Sequence, residues 1–125
     1  MFENTKAFSG FAVDDIEAAR RFYGETLGIR VEDVGEQNLL TLQLAGGDRP
    51  TLIYPKPDFE PATYTILNFP VDDIEASVEA LKDRGVAFEH YEGMTDEQGI
   101  MRQGGPLIAW FRDPAGNILS VLESS

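Results

Sequence analysis

Residues 13–19 read VDDIEAA and residues 71–77 read VDDIEAS, so a chain of 125 residues contains nearly the same seven residues twice. An internal repeat of this kind indicates two copies of one structural unit. Each copy follows a strand-length segment rich in aromatic and β-branched residues, KAFSGFAV (6–13) or TYTILNFPV (63–71). Apolar residues then recur at helical spacing in both copies. The sequence therefore predicts a strand followed by a helix in each half.

The repeat also predicts where each helix begins and ends. The first Asp of each copy, Asp14 or Asp72, is expected to be the N-cap. The glutamate three residues later, Glu17 or Glu75, is placed to return a hydrogen bond to the cap in a capping box. Glycines follow both helices where a left-handed residue ends a helix, at Gly28 and Gly85.

The rest of each half adds three more strands. One further strand is expected at 29–34 and its counterpart at 86–91. Hairpins follow at 39–54, turning at 46–48, and at 106–123, turning at 113–117. The predicted fold class is therefore α+β, with two tandem βαβββ modules. We expect a single domain over 1–125, with pseudo-repeats 1–56 and 63–125 and a connector at 57–62, because one such module alone buries little apolar surface.

The overall composition is acidic. Ten Lys and Arg against 22 Asp and Glu give a formal net charge of −12 at pH 7. This charge repels phosphate backbones and anionic headgroups, so neither nucleic acid nor a membrane is expected as a partner. The chain has no Cys, which excludes disulfides and thiolate nucleophiles. No segment has the pattern of a secretory leader or of a membrane-spanning helix, and a cytoplasmic location is expected.

Two longer segments carry a resemblance to a known family. FAVDDIEAARRFYGETLGI (11–29) resembles the opening signature of the vicinal oxygen chelate superfamily, and WFRDPAGNILSVLE (110–123) resembles its closing one. This superfamily includes glyoxalase I, bleomycin-resistance proteins and extradiol dioxygenases. The resemblance implies that the sheets of two βαβββ modules curve around a common cup that holds the ligand. It also implies a homodimer, which is common among small members.

The resemblance further identifies four positions that hold a divalent metal ion in the superfamily's enzymes. In this sequence they fall on Phe8, Ile66, Ser120 and Ile53, or on Tyr54 instead of Ile53 if the register shifts by one residue. Divalent cations need several oxygen or nitrogen ligands, which these side chains do not supply. The chain also has only one His. No metal and no other cofactor is therefore expected.

A cup without a metal ion is expected to hold a small molecule against apolar and aromatic walls. The predicted cup residues are Phe8, Gly10, Ile53, Tyr54, Ile66, Asn68, Trp110 and Ser120. The glycine-rich stretch 92–106 has no regular period and is interpreted as a lid or as a mobile surface loop. The residues expected to close the lid over a ligand are Met94, Met101 and Arg102.

Two classes of function follow. The first is a metal-free binding protein of the glyoxalase and bleomycin-resistance type, with an aromatic or cationic small molecule as ligand. The second is a metal-independent isomerase or lyase that uses His90 as acid or base, since His titrates near neutrality. A divalent-metal glyoxalase or dioxygenase is a third reading, which the four ligand positions disfavour.

Overall fold

A computed structural model describes residues 1–35, 38–45 and 49–123. The turn expected at 46–48 lies outside these residues. The chain divides into two compact units, Met1–Glu60 and Pro61–Ser125. Within the described residues, no helix has both the length and the apolar character needed to cross a bilayer.

The first unit contains one helix and a four-stranded mixed sheet. Strand β1 pairs with β4 in parallel, and the other neighbours pair antiparallel in the order β1-β4-β3-β2. The elements are β1 (Gly10–Val13), α1 (Ile16–Arg21), β2 (Arg30–Val34), β3 (Leu39–Gln43) and β4 (Thr51–Pro55).

The second unit repeats this arrangement. Strand β5 pairs with β8 in parallel, and the order is β5-β8-β7-β6. The elements are β5 (Thr65–Val71), α2 (Ile74–Asp83), β6 (Ile100–Met101), β7 (Ile108–Arg112) and β8 (Ile118–Glu123). The predicted α+β fold of two βαβββ modules is thereby confirmed.

The helix starts differ by one residue from the prediction. Asp15 and Asp73 are the N-caps, and their carboxylates accept hydrogen bonds from backbone amides of the first helical turn. The expected caps Asp14 and Asp72 were wrong because the second Asp of each pair has the extended backbone that a cap requires.

The capping glutamates also have other partners. Glu17 contacts the guanidinium of Arg20, and Glu75 contacts that of Arg102. The predicted capping boxes are therefore replaced by ion pairs, because each helix begins one residue later than the pattern suggested. The two glycines predicted to end the helices do adopt positive φ, at 72° for Gly28 and 91° for Gly85.

Helix α1 continues into a π-helical turn at Phe22–Thr26. The backbone amide of Leu27 donates to the carbonyl of Phe22 over 2.9 Å, five residues back. This wider turn contains Tyr23, whose ring is buried against Phe11 with ring centroids 5.7 Å apart.

The strand expected at 86–91 is reduced to one bridge, between Phe88 and Phe111. The chain leaves the sheet after Glu89 because the next residues form a turn, in which the hydroxyl of Thr95 accepts a hydrogen bond from the amide of Tyr91. Strand β6 occupies the edge of the sheet instead.

Each sheet has one face covered by the helix of its own unit. In the first unit the side chains on this helix face alternate along the strands and are buried: Phe11, Val13, Leu40, Leu42 and Ile53. In the second unit the helix face carries Ala109, Phe111, Leu119 and Val121. The opposite face of each sheet is called the far face below.

Candidate functional site

The candidate site lies on the far face of the second sheet. Register places Asn68 of β5 beside Ser120 of β8, and Ser120 beside Trp110 of β7. Side chains of directly paired residues on neighbouring strands project to the same side of a sheet. Three of the predicted cup residues are thus brought together as one row across three strands.

Within this row, Asn68 and Ser120 are joined by a hydrogen bond. The Ser120 hydroxyl donates to Oδ1 of Asn68 over 2.6 Å. Ser120 has no exposed surface, whereas Asn68 is exposed. The row therefore presents the amide of Asn68 at the surface and keeps the serine hydroxyl beneath it.

Trp110 is supported by a second aromatic ring. The rings of Tyr91 and Trp110 meet edge to face, with centroids 5.6 Å apart and planes at 71°. The amide of Glu89 donates to the carbonyl of Trp110 over 2.8 Å, which holds this segment along β7. Tyr91 lies three residues beyond the bridged Phe88, and no local sequence pattern indicates its contact with Trp110.

A charged pair lies next to the aromatic rings. The guanidinium of Arg112 contacts the carboxylate of Glu89 over 2.5 Å and donates to the carbonyl of Gly116 over 2.9 Å. The hydrogen bond with Glu89 raises the pKa of Arg112 above its usual value, although burial opposes this. The positive charge of Arg112 is therefore already compensated within the second unit.

The first-unit residues of the predicted cup are distributed differently. Ile53 is fully buried on the helix face, so Tyr54 is the residue on the far face of β4. Phe8 precedes β1 and is 64% exposed. Gly10 lies so close to β4 that a Cβ there would be 2.9 Å from the carbonyl oxygen of Leu52, so its missing side chain accommodates the neighbouring strand.

Ile66 lies at an irregularity in the pairing of β5 with β8 and is half-buried. The pairing shifts between Thr65 and Leu67, which leaves Ile66 without a directly paired residue on β8.

The segment 92–106 contains a well-defined turn. Oδ1 of Asp96 accepts hydrogen bonds from the backbone amides of Gln98 and Ile100, both at 2.9 Å. The guanidinium of Arg102 contacts Asp96 over 2.8 Å and Glu75 of α2 over 2.9 Å. This turn is therefore tied to α2 by Arg102.

The three predicted lid residues have separate roles in this segment. Met94 is 55% exposed and Met101 lies in β6, paired with Ile108. A shallow depression of about 280 Å³ is lined by this segment, including Met94 and Arg102.

The carboxylate of Asp96 in the same turn has a shifted pKa. Burial raises the pKa of Asp96, but the hydrogen bonds from Arg102, Ile100 and Gln98 together bring it below its usual value.

His90 is exposed, and no hydrogen bond or ion pair of its side chain is found in the described part of the chain.

In residues 1–35, 38–45 and 49–123, no cluster of three or more His, Asp or Glu side chains could hold a metal ion. Of the positions inherited from the superfamily's metal site, Ser120 supplies one hydroxyl, and this hydroxyl is engaged with Asn68. The side chains at these four positions do not fit a divalent metal.

Solved structures with the same fold include an antibiotic binding protein. TnmS3, an antibiotic binding protein from Streptomyces sp. CB03234, matches with a TM-score of 0.72 and 26% identity over 98% of each chain. A glyoxalase/bleomycin resistance protein from the same organism matches with a TM-score of 0.67 and 26% identity, over 94% of this chain and 99% of the other. A superfamily member from Sphaerobacter thermophilus DSM 20745, with a TM-score of 0.73 and 23% identity over 99% and 100% of the two chains, shares the fold.

No curated protein sequence matches this chain. The family description "Glyoxalase/Bleomycin resistance protein/Dioxygenase superfamily" matches residues 7–121, nearly the whole sequence. This match agrees with the two βαβββ modules and with the signatures at 11–29 and 110–123. The chain belongs to the glyoxalase/bleomycin resistance protein/dioxygenase superfamily.

Proposed function

We propose that this protein binds an aromatic small molecule without a metal ion and without converting it. The observation that carries the proposal is the row of Trp110, Ser120 and Asn68, in which an aromatic ring and an exposed amide flank the buried Ser120 on one sheet face. Apolar and aromatic surface with a few placed polar groups is typical of small-molecule sites. The similarity to an antibiotic binding protein supports the same function.

The net charge of −12 suits a ligand that also carries positive charge. A strongly acidic protein attracts cations over long range and raises their rate of association. We expect this contribution to weaken as salt is added, because exposed charges more than a Debye length apart are screened.

A thermal-shift screen tests the proposal directly. The probes are bleomycin, ethidium, 2-acetylnaphthalene, and the divalent ions Mn²⁺, Ni²⁺ and Zn²⁺. A ligand that binds only the folded state at about 100 times its Kd adds about 2.7 kcal/mol to the free energy of unfolding, which raises the Tm of a domain of this size by several degrees. We expect at least one aromatic probe to do so and the ions to have no effect.

Trp110→Leu and Tyr64→Leu form a matched pair for locating the site. Both remove an aromatic ring from the second unit, but Tyr64 is 70% exposed and precedes β5. The affinity for an aromatic probe, measured by isothermal titration calorimetry, should fall about tenfold or more in Trp110→Leu and stay at the wild-type value in Tyr64→Leu. The expected size follows because stacking on an aromatic ring contributes about 1–3 kcal/mol. Equal losses in the two variants would contradict the assignment.

The enzymatic alternative predicts a different result. Mass spectrometry of a bound probe after prolonged incubation should recover it unchanged. If the wild type converts a probe and His90→Gln does not, the protein is an isomerase or lyase that uses His90 and the binding proposal is wrong.

A further inference from the structure

The hydrogen bond between Ser120 and Asn68 determines which way the amide of Asn68 points. A buried hydroxyl must donate its proton to an acceptor, because a buried unsatisfied donor is destabilising. The side-chain amide of Asn68 is the one hydrogen-bond partner of the Ser120 hydroxyl within the described residues. Only the oxygen of an amide accepts, so Oδ1 faces Ser120 and the two N–H groups of Nδ2 face away from it.

The polar groups that remain available in the row of Asn68, Ser120 and Trp110 are therefore donors. Nδ2 of Asn68 makes no hydrogen bond in the described part of the chain, and Asn68 is exposed. The indole N–H of Trp110, a donor without acceptor capacity, also has no partner among those residues. The nearby cation, Arg112, is compensated by Glu89.

We infer that the site selects a planar aromatic ligand that carries a neutral hydrogen-bond acceptor, such as a carbonyl oxygen, and that Asn68 donates to this acceptor while Ser120 positions the amide. The inference rests on the proposed function and specifies the ligand class. A carboxylate meets no free cation here and is repelled by the net charge of −12. An ammonium group cannot accept a hydrogen bond from Asn68.

Two planar isosteres separate the hydrogen bond from the aromatic contact. 2-Acetylnaphthalene carries a carbonyl oxygen where 2-isopropenylnaphthalene carries a methylene group. We expect wild-type protein to bind the acetyl compound about fivefold more tightly, the ratio given by one net hydrogen bond. 2-Naphthoate, the anionic member of the series, should bind more weakly than the acetyl compound.

Asn68→Asp is the decisive variant. It replaces the Nδ2 donor by an oxygen of the same size, and the Ser120 hydroxyl keeps an acceptor, so the fold should persist. The fivefold preference should disappear. Asn4→Asp adds the same charge at an exposed position in the first unit and should retain the preference.

Ser120→Ala tests the positioning role by a readout that general destabilisation does not change. The amide of Asn68 then loses its fixed orientation, and the ratio of the two affinities should fall toward one while binding of the isopropenyl compound persists. An unchanged ratio in Asn68→Asp overturns the inference and leaves the aromatic binding function intact. Failure of wild type to bind either naphthalene at millimolar concentration overturns both.

Discussion

The side-chain oxygen of Asn117 accepts a hydrogen bond from the backbone amide of Ala62 over 3.1 Å, although 55 residues separate the two. Asn117 is 2% exposed, and its own amide groups contact the buried carboxylate of Asp113. The D-P-x-G-N motif thereby attaches the first residues of the second unit to its last hairpin. Its glycine, Gly116, has φ of 96°, and a Cβ at this position would lie 3.2 Å from the Cβ of Pro61.

Replacing Asn117 by Ala should destabilise the protein strongly. The side chain of Asn117 would no longer accept from the half-buried amide of Ala62 or donate to the buried carboxylate of Asp113. A hydrogen bond contributes about 0.5–1.5 kcal/mol, or about 1.5–3 kcal/mol when one partner is charged. We expect the free energy of unfolding, measured by urea denaturation, to fall by about 3 kcal/mol. Asn4→Ala, at an exposed position, should change the free energy of unfolding by less than about 0.5 kcal/mol. A loss for Asn117→Ala as small as that of Asn4→Ala would contradict the attachment.

Asp96 should contribute a pH-dependent part of the stability. Its pKa in the folded protein lies below the usual value, so folding favours the charged form. The stabilisation is therefore complete above about pH 5 and is lost as the pH falls below about 4, through the folded-state pKa. The difference in unfolding free energy between wild type and Asp96→Asn should shrink over this range.

Glu97→Gln removes a charge from the neighbouring exposed side chain and controls for the change in net charge. Urea unfolding at a series of pH values gives the comparison. A difference between wild type and Asp96→Asn that grows at low pH would contradict the assignment of a lowered pKa.

Arg102 should hold the 95–101 turn against α2. Arg102→Gln removes the contacts to Asp96 and Glu75, and amides such as those of Gln98 and Ile100 should exchange with solvent several-fold faster. Hydrogen exchange followed by mass spectrometry measures this. Arg21→Gln, which removes an exposed arginine from α1, should leave exchange in the turn unchanged. Unchanged exchange in Arg102→Gln would mean that the Asp96 turn is stable without the ion pairs.

Trp110 is the only tryptophan, so its fluorescence reports on the candidate site alone. Tyr91→Leu removes the ring that meets Trp110 edge to face, and we expect a red-shifted emission together with stronger acrylamide quenching. Tyr91→Phe keeps the ring and should resemble wild type. An emission spectrum that is the same in all three proteins would show that Tyr91 does not shield the indole.

Divalent metal ions should not stabilise the protein specifically. Ile66 and the fully buried Ile53 offer no ligand atoms, and the Ser120 hydroxyl is engaged with Asn68. A Tm increase with Mn²⁺, Ni²⁺ or Zn²⁺ that EDTA reverses would show that other residues supply a metal site.

Size-exclusion chromatography with light scattering tests the homodimer, which stays a prediction from the family resemblance. A mass of about twice the 13.8 kDa of one chain is expected. A mass of one chain at micromolar concentration would contradict it.

The repeated hexapeptide VDDIEA was sufficient to predict two modules and a helix in each. The helical spacing of apolar residues and the helix-terminating glycines Gly28 and Gly85 are signals carried by residues close together in the chain. The N-caps were displaced by one residue because two consecutive Asp residues offer the same chemistry. The predicted cup residues Asn68, Trp110 and Ser120 could be named from the strand pattern together with the family resemblance.

What the tertiary structure decided is how those residues meet. Whether Ile53 or Tyr54 occupies the far face depends on pairing register, and a shift of one residue exchanges the two faces. The bond from Ser120 to Asn68 and the contact of Tyr91 with Trp110 join distant segments. By itself, the sequence determined the two modules, both helices and every strand except β6, since local periodicity and turn residues encode them. The donor character of the candidate site arises only from contacts between strands that the fold brings side by side.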